Sequence, residues 1–286
     1  MINAKTKVYG IIGNPVEHSM SPAIHNAAFQ ALGLNCVYLA FKTTDVKNAL
    51  AGIRSLQIGG LSVTIPHKQK VMGYLDEIDP VAKNIGAVNT VINDNGILKG
   101  YNSDGFGAYR AIKTQCDSIS GERVILLGSG GAARAIGFTI SAEEKLSELV
   151  ILGQNEDEYH TLSEDIRRKT AHTVTADSIN NADKYLKEAK LLINCTPVGM
   201  HPDVDNTPVS GALLHSRLTV FDIVYNPYHT RLLQEAAEKK CRIIYGTEMF
   251  LNQAYIQFEM WTHEKAPVSV MRQVLFENLG IPEKDE

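Results

Sequence analysis

Polar side chains able to do chemistry sit at the ends of several apolar runs in this chain. In Gly60-Leu61-Ser62-Val63-Thr64-Ile65-Pro66-His67-Lys68 the hydroxyls of Ser62 and Thr64 alternate with apolar residues, so an extended strand projects both from one face. Pro66 stops that strand, and Lys68 follows just beyond its end. An ammonium there could stabilise charge developing on a carbonyl oxygen and pass it a proton. The other reading is a solvated surface lysine. In His18-Ser19-Met20-Ser21-Pro22, Ser21 reads as a helix N-cap and Pro22 as the first helical residue. Capping leaves Ser19 unexplained, and two hydroxyls beside unpaired helix N–H groups suit a small carboxylate. Asn89, in Gly86-Ala87-Val88-Asn89-Thr90, and Asp104, followed by Gly105, lie close to glycines at strand ends. Turn chemistry accounts for both. So does an amide donating to a polyol, with a carboxylate partnering a catalytic cation.

The second half carries a different signal. Arg123–Leu127 is a branched apolar run that reads as a buried strand, followed by Gly128-Ser129-Gly130-Gly131-Ala132-Ala133 and a helical pattern. Gly128 permits a tight turn and Gly130 lets backbone N–H groups approach a pyrophosphate at the helix N-terminus, with Ala133 where a third glycine usually stands. The segment is read as dinucleotide-binding, against the alternative of an ordinary strand–helix turn.

These segments need a scaffold that brings strand ends together. Strands are expected at 7–13, 36–41, 60–66, 88–93 and 97–101, the last two as a hairpin across Asp94-Asn95-Gly96. Helices are expected from Ser21 to about Leu32, over 45–56, 68–75 and 107–113. The alternation implies a mostly parallel sheet. From Arg123 a second series begins, with strands at 123–127, 149–152, 191–195, 219–224 and 241–245 and helices between them, an amphipathic one over 230–239 among them. This is a doubly wound, Rossmann-type pattern in an α/β chain. Helices over 247–263 and 267–279 end it, and the length of 286 residues suits two domains.

Composition narrows the function classes. At 44% hydrophobic and 21% charged residues the chain fits an ordinary soluble globular protein. A net charge of −4 supplies no basic field, so no nucleic-acid partner is expected. No apolar stretch reaches membrane-spanning length, and no targeting segment is evident. Cys36, Cys116, Cys195 and Cys241 form no Cys-x-x-Cys pair and read as free thiols of a cytoplasmic protein. The histidines form no ligand cluster, so no metal is expected.

Taken in order, GNPVEHSMSPAIHN, VTIPHK, GAVNT, YNSDG, LGSGGAAR, INCTPVGM, VYNP and LNQA resemble the shikimate dehydrogenase family over nearly the whole chain. The resemblance implies reversible reduction of 3-dehydroshikimate to shikimate with NADPH, in aromatic amino acid biosynthesis. It also implies a substrate-binding α/β domain built from both chain ends (1–104 plus 247–286) and a Rossmann domain over 105–246. Lys68 and Asp104 would be the catalytic pair. Ser19, Ser21, Ser62, Thr64, Asn89, Asp104, Tyr225 and Gln253 would hold the substrate. Gly128, Ser129, Gly130, Gly131, Ala132, Gln154, Asn155, Glu156 and Gly246 would hold the cofactor. The partner would be the small-molecule substrate, with neither nucleic acid nor membrane, and the protein a monomer or homodimer. Hinge rotation at Gly105 and Gly246 would close the domains.

Two positions depart from the family pattern. Ser62 stands where asparagine is frequent, which bears on shikimate against quinate selectivity. Gln154 stands where many relatives carry the arginine that clamps the 2′-phosphate of NADP. Glu156 and Asp157 beside it would repel a phosphate, accept from a free ribose hydroxyl as in NAD binding, or cap the next helix. NADP is the family expectation, with NAD as the alternative; Arg134, Arg167 and Arg168 are candidates for the missing charge. The rival activities are an NAD-dependent quinate/shikimate dehydrogenase and a non-catalytic shikimate-sensing module.

Overall fold

A computed structural model describes residues 2–116 and 118–282. The chain forms two compact units, Met1–Ser103 with Gln253–Glu286, and Asp104–Asn252. The boundaries expected from sequence were 104/105 and 246/247.

The first unit contains β1 (Lys7–Gly13), α1 (Ser21–Ala31), β2 (Cys36–Lys42), α2 (Val46–Ser55), β3 (Gly60–Val63), β4 (Glu77–Ile78), α3 (Pro80–Ile85), β5 (Thr90–Asp94) and β6 (Ile97–Tyr101). Its sheet has the order β2-β1-β3-β5-β6-β4. β1 pairs in parallel with β2 and β3, while β5 runs antiparallel to both of its neighbours, β3 and β6. β3 stops three residues earlier than the expected 66, because Thr64 and His67 already close a turn through the His67 N–H to Thr64 carbonyl bond of 2.9 Å. The helix expected over 68–75 is a 3₁₀ turn at Lys70–Tyr74. One face of the sheet buries Ile12, Leu50, Leu61, Val63, Val88 and Val91 with α2. An aromatic cluster of Tyr9, Phe29, Tyr38, Phe258 and Trp261 forms a second buried group.

The second unit contains α4 (Asp104–Gln115), β7 (Arg123–Leu127), α5 (Gly131–Glu143), β8 (Glu148–Gly153), α6 (Glu156–Thr170), β9 (Val174–Ser178), α7 (Asp183–Leu186), β10 (Leu191–Asn194), β11 (Thr219–Asp222), α8 (Arg231–Glu238) and β12 (Arg242–Ile244). All six strands are parallel in the order β12-β11-β10-β7-β8-β9. Numbered within the unit this is 3-2-1-4-5-6, the dinucleotide-binding order, with its switch point between β7 and β10. Val124, Ile125, Leu126 and Leu127 are all fully buried, as a strand covered on both faces requires. β9 was not anticipated, because Val174-Thr-Ala-Asp-Ser carries too little apolar character to read as a strand. α9 (Gly246–Thr262) returns the chain to the first unit, where α10 (Val268–Leu279) packs on α1.

Candidate active site

In the first unit the expected substrate residues lie on β3 and just beyond it, immediately before β5, at the start of α1 and midway along α9. Ser21 is the first residue of α1 rather than its cap: Met20 holds the N-cap position with no side-chain cap bond, and Pro22 enters the first turn. The Ser21 N–H instead donates to Ser19 Oγ at 3.3 Å, which brings the two serines together. The Ser21 hydroxyl also bonds the Tyr38 phenol, whose pKa burial pushes up. Thr64 sits half-buried beyond β3, its methyl over Gly13, where an added Cβ would come within 2.4 Å of it. Lys68 is half-buried on the same turn, and its carbonyl accepts from the Val88 N–H at 2.8 Å. That bond ties the turn carrying Lys68 to the segment that leads into Asn89.

Ser62 and Asn89 are linked through a residue absent from the expected site. Tyr38 Oη donates to Ser62 Oγ at 2.6 Å, and Ser62 Oγ donates to Gln257 Oε1 at 2.7 Å. Gln257 Nε2 donates to Thr90 Oγ1 at 3.0 Å and to the Asn89 carbonyl at 3.3 Å. Thr90 Oγ1 donates to Asn89 Oδ1 at 2.7 Å, and the Ser103 N–H donates to the same oxygen at 2.8 Å. Ser62 is 5% and Gln257 1% exposed, so this is a buried network. Gln257 lies one turn after Gln253 on the same face of α9, the only signal in the sequence that pointed to it.

His25 is fully buried, stacked on Tyr38 with centroids 4.6 Å apart. Neither ring nitrogen has a hydrogen-bond partner, and burial pushes its pKa down to about 3. It is a neutral core imidazole, placed for packing. His18 is exposed.

In the second unit the glycine turn occupies the switch point. Gly128 has φ +101°, in the left-handed region, and an added Cβ would meet Thr196 Cγ2 at 3.0 Å. α5 begins at Gly131 with Gly130 at its N-cap and no side-chain cap bond. Cβ atoms at Gly130 and Gly131 would point into open space. An uncapped N-terminus of a 13-residue helix beside unobstructed backbone fits the pyrophosphate of a dinucleotide. Ser129 Oγ donates to Glu158 Oε2 at 3.1 Å.

Gln154, Asn155 and Glu156 are exposed just past β8. Asn155 caps α6 by accepting from the Glu158 N–H at 3.3 Å, with Glu156, Asp157 and Glu158 in the first turn. Of the arginines considered for a 2′-phosphate, Arg134 and Arg168 both pair with Asp165, and Arg167 donates to the Val174 carbonyl at 2.6 Å. All three hold partners of their own.

Asp104 opens α4, and Tyr225 follows β11 against Phe250, with ring centroids 5.0 Å apart. Gly246 is packed tightly: an added Cβ would lie 2.5 Å from the Val224 carbonyl and 2.6 Å from that of Ile223. At Gly105 it would lie 2.0 Å from Thr139 Oγ1. Close approach gives both glycines, expected from sequence to act as hinges, a steric reason to lack a side chain. Asp222, at the end of β11, is fully buried and accepts from Asn194 Nδ2 at 2.9 Å, Thr230 Oγ1 at 2.7 Å and the Val224 N–H at 3.1 Å. Desolvation pushes its pKa up to about 6, against the effect of those three bonds. Among the described residues no helix is long and apolar enough to cross a membrane.

Residues 11–91 match the shikimate dehydrogenase substrate binding domain family, and residues 246–276 the shikimate 5′-dehydrogenase C-terminal domain family. The chain is 46% identical to the shikimate dehydrogenase (NADP(+)) of Methanobrevibacter smithii, over 98% of this chain and 100% of that protein. Among solved structures, a shikimate dehydrogenase in complex with NADP+ superposes with a TM-score of 0.93 at 38% identity, covering 98% of each chain. Shikimate 5-dehydrogenase from Listeria monocytogenes in complex with shikimate and NAD gives 0.91 at 38% identity, covering 96% of this chain and 98% of that one.

Proposed function

This chain belongs to the shikimate dehydrogenase family, and from that premise we propose that it catalyses the reversible NADP-dependent reduction of 3-dehydroshikimate to shikimate. The observation that carries the reading is the 46% identity to an enzyme of that name across 98% of the chain. A nicotinamide cofactor supplies the hydride to the ring ketone or takes it back from the alcohol. As the carbonyl carbon accepts that hydride, negative charge grows on its oxygen. The Lys68 ammonium stabilises this charge and transfers its proton to the oxygen, leaving a hydroxyl and a neutral amine. In the reverse direction neutral Lys68 takes the hydroxyl proton. Asp104 orients the lysine and the substrate by charge-assisted hydrogen bonds. Ser19 and Ser21 hold the carboxylate, and Thr64, Asn89, Tyr225 and Gln253 the rest of the ring. The glycine turn over Gly128–Ala132 takes the pyrophosphate. The four free cysteines suit a reducing cytoplasm.

The test is shikimate-dependent reduction of NADP+ followed by absorbance. In Lys68→Ala, kcat falls by about 10²- to 10⁴-fold, the range for a lost acid–base group, while KM for shikimate changes little. Near-normal turnover would remove Lys68 from the mechanism, and a wild-type protein inert towards shikimate would remove the activity.

One observation favours a second reading, the use of NAD. Gln154 brings no charge to the end of β8, and Arg134 and Arg168 are tied to Asp165. Steady-state rates with NADP and NAD against shikimate and quinate separate the two; a strong NAD preference with quinate turnover selects the second.

A further inference from the structure

Along the run Tyr38–Ser62–Gln257–Thr90–Asn89 the buried network has only one consistent arrangement of protons, and that arrangement has consequences for substrate selection. The carbonyl of Asn89 can only accept, and it already takes the Val63 N–H at 2.8 Å. The Gln257 amide group 3.3 Å from it must therefore be the NH₂, which places Oε1 against Ser62. At the other end the Ser103 N–H can only donate, and it fixes Oδ1 of Asn89 as the atom facing Thr90. Thr90 then donates to Asn89 and accepts from Gln257. Ser62, facing an oxygen, must spend its single proton on Gln257, and Tyr38 must spend its own on Ser62. Two backbone groups of fixed character thus set the direction of every hydroxyl between them.

We propose that Gln257 is a specificity-determining positioning residue, which commits the Ser62 proton so that Ser62 meets the substrate only as a hydrogen-bond acceptor. The inference rests on the shikimate dehydrogenase reading of the site. An acceptor-only wall binds a ring hydroxyl, which can donate to it, and disfavours a group that can only accept. Gln257 exerts this selection through Ser62 without touching substrate. Where Asn stands in place of Ser62, an amide would offer donors at the same wall, so serine at 62 and glutamine at 257 act as a pair.

The experiment compares wild type, Q257M, Q257E, S62A and the S62A/Q257M double variant, with KM and kcat measured for shikimate and KM for NADP+. Methionine fills the space of glutamine but frees the Ser62 proton. Protonated glutamate keeps its carbonyl oxygen against Ser62 and offers its O–H where the amide NH₂ stood, facing the Asn89 carbonyl and Thr90. Q257M is expected to raise KM for shikimate about tenfold, the effect of one misdirected buried hydrogen bond, with kcat and the NADP+ KM within about twofold. Q257E is expected to stay within about threefold of wild type, and Q257M to have no further effect once Ser62 is alanine. A shikimate KM unchanged in Q257M, an equal rise in Q257M and Q257E, or additive effects in the double variant would each overturn the proposal. Should Q257M fail to fold, Q257E decides alone: a rise of tenfold or more in a folded protein refutes it, and a near-native KM supports it. Wild-type inactivity towards shikimate refutes the activity reading as well, a result distinct from these.

Discussion

Asp222→Asn should make the protein less sensitive to pH between about 4 and about 6. The carboxyl is fully buried, all three groups that donate to it are neutral, and its pKa rises from the ordinary 3.8 to about 6. A group that holds its proton more tightly folded than unfolded contributes stability below its unfolded pKa, and that stability is lost as pH rises through its folded pKa. The window is therefore about 4 to about 6, with a slope near 1.4 kcal/mol per pH unit inside it. Over about two units the loss reaches about 3 kcal/mol, an upper figure for one group. Asparagine is nearly isosteric: its Oδ1 keeps the bonds from Asn194 and the Val224 N–H, and its Nδ2 faces Thr230 Oγ1, a hydroxyl able to accept. Urea unfolding of both proteins at pH 4.5, 5.5, 6.5 and 7.5 gives the difference directly, and using differences limits the error from two units unfolding separately. The variant is expected to gain on wild type steadily as pH rises to about 6.5, then to run parallel to it. Stability curves parallel throughout would refute a carboxyl titrating inside the fold.

Three other substitutions probe the cofactor side. Gly246→Ala places a Cβ 2.5 Å from the Val224 carbonyl, so the start of α9 must shift; thermal unfolding should show a loss of about 1–3 kcal/mol, with a raised KM for NADP+. Gly128→Ala puts a side chain at φ +101° and against Thr196, and should cost at least about 1 kcal/mol while weakening NADP+ and NAD binding alike, as a turn serving their common pyrophosphate would. A fluorescence titration showing selective loss of one cofactor would contradict that. Gln154→Arg should lower KM for NADP+ relative to NAD by roughly tenfold, the worth of one charge-assisted bond to an exposed phosphate; an unchanged ratio would place the 2′-group away from the end of β8.

Much of this protein was legible without coordinates because the signals are local. Branched apolar runs ending at glycine or proline mark β1, β3 and β7, and the Gly128 turn announces its own backbone conformation. β9 escaped because its strand character comes from pairing along β8, not from apolar content. The cap of α1 was assigned to Ser21 because serine at a helix start usually caps, whereas here its hydroxyl finds Tyr38 instead. Gly105 and Gly246 looked like joints from their positions, but packing against Thr139 and the Val224 carbonyl gives them a steric reason to lack a side chain.

The sequence by itself determined which residue types stand at each strand end, the order of the elements, and hence the family and its chemistry, since each depends on neighbours a few positions away. Tertiary structure alone decided what those side chains are free to do. Ser62 and Gln257 are 195 positions apart, and no local pattern reveals that one consumes the other's hydrogen-bonding capacity. Burial decided that His25 is neutral and that Asp222 titrates near 6, because desolvation depends on everything packed around a group. A hydroxyl in the sequence is both donor and acceptor; only its partners in space determine which one it offers.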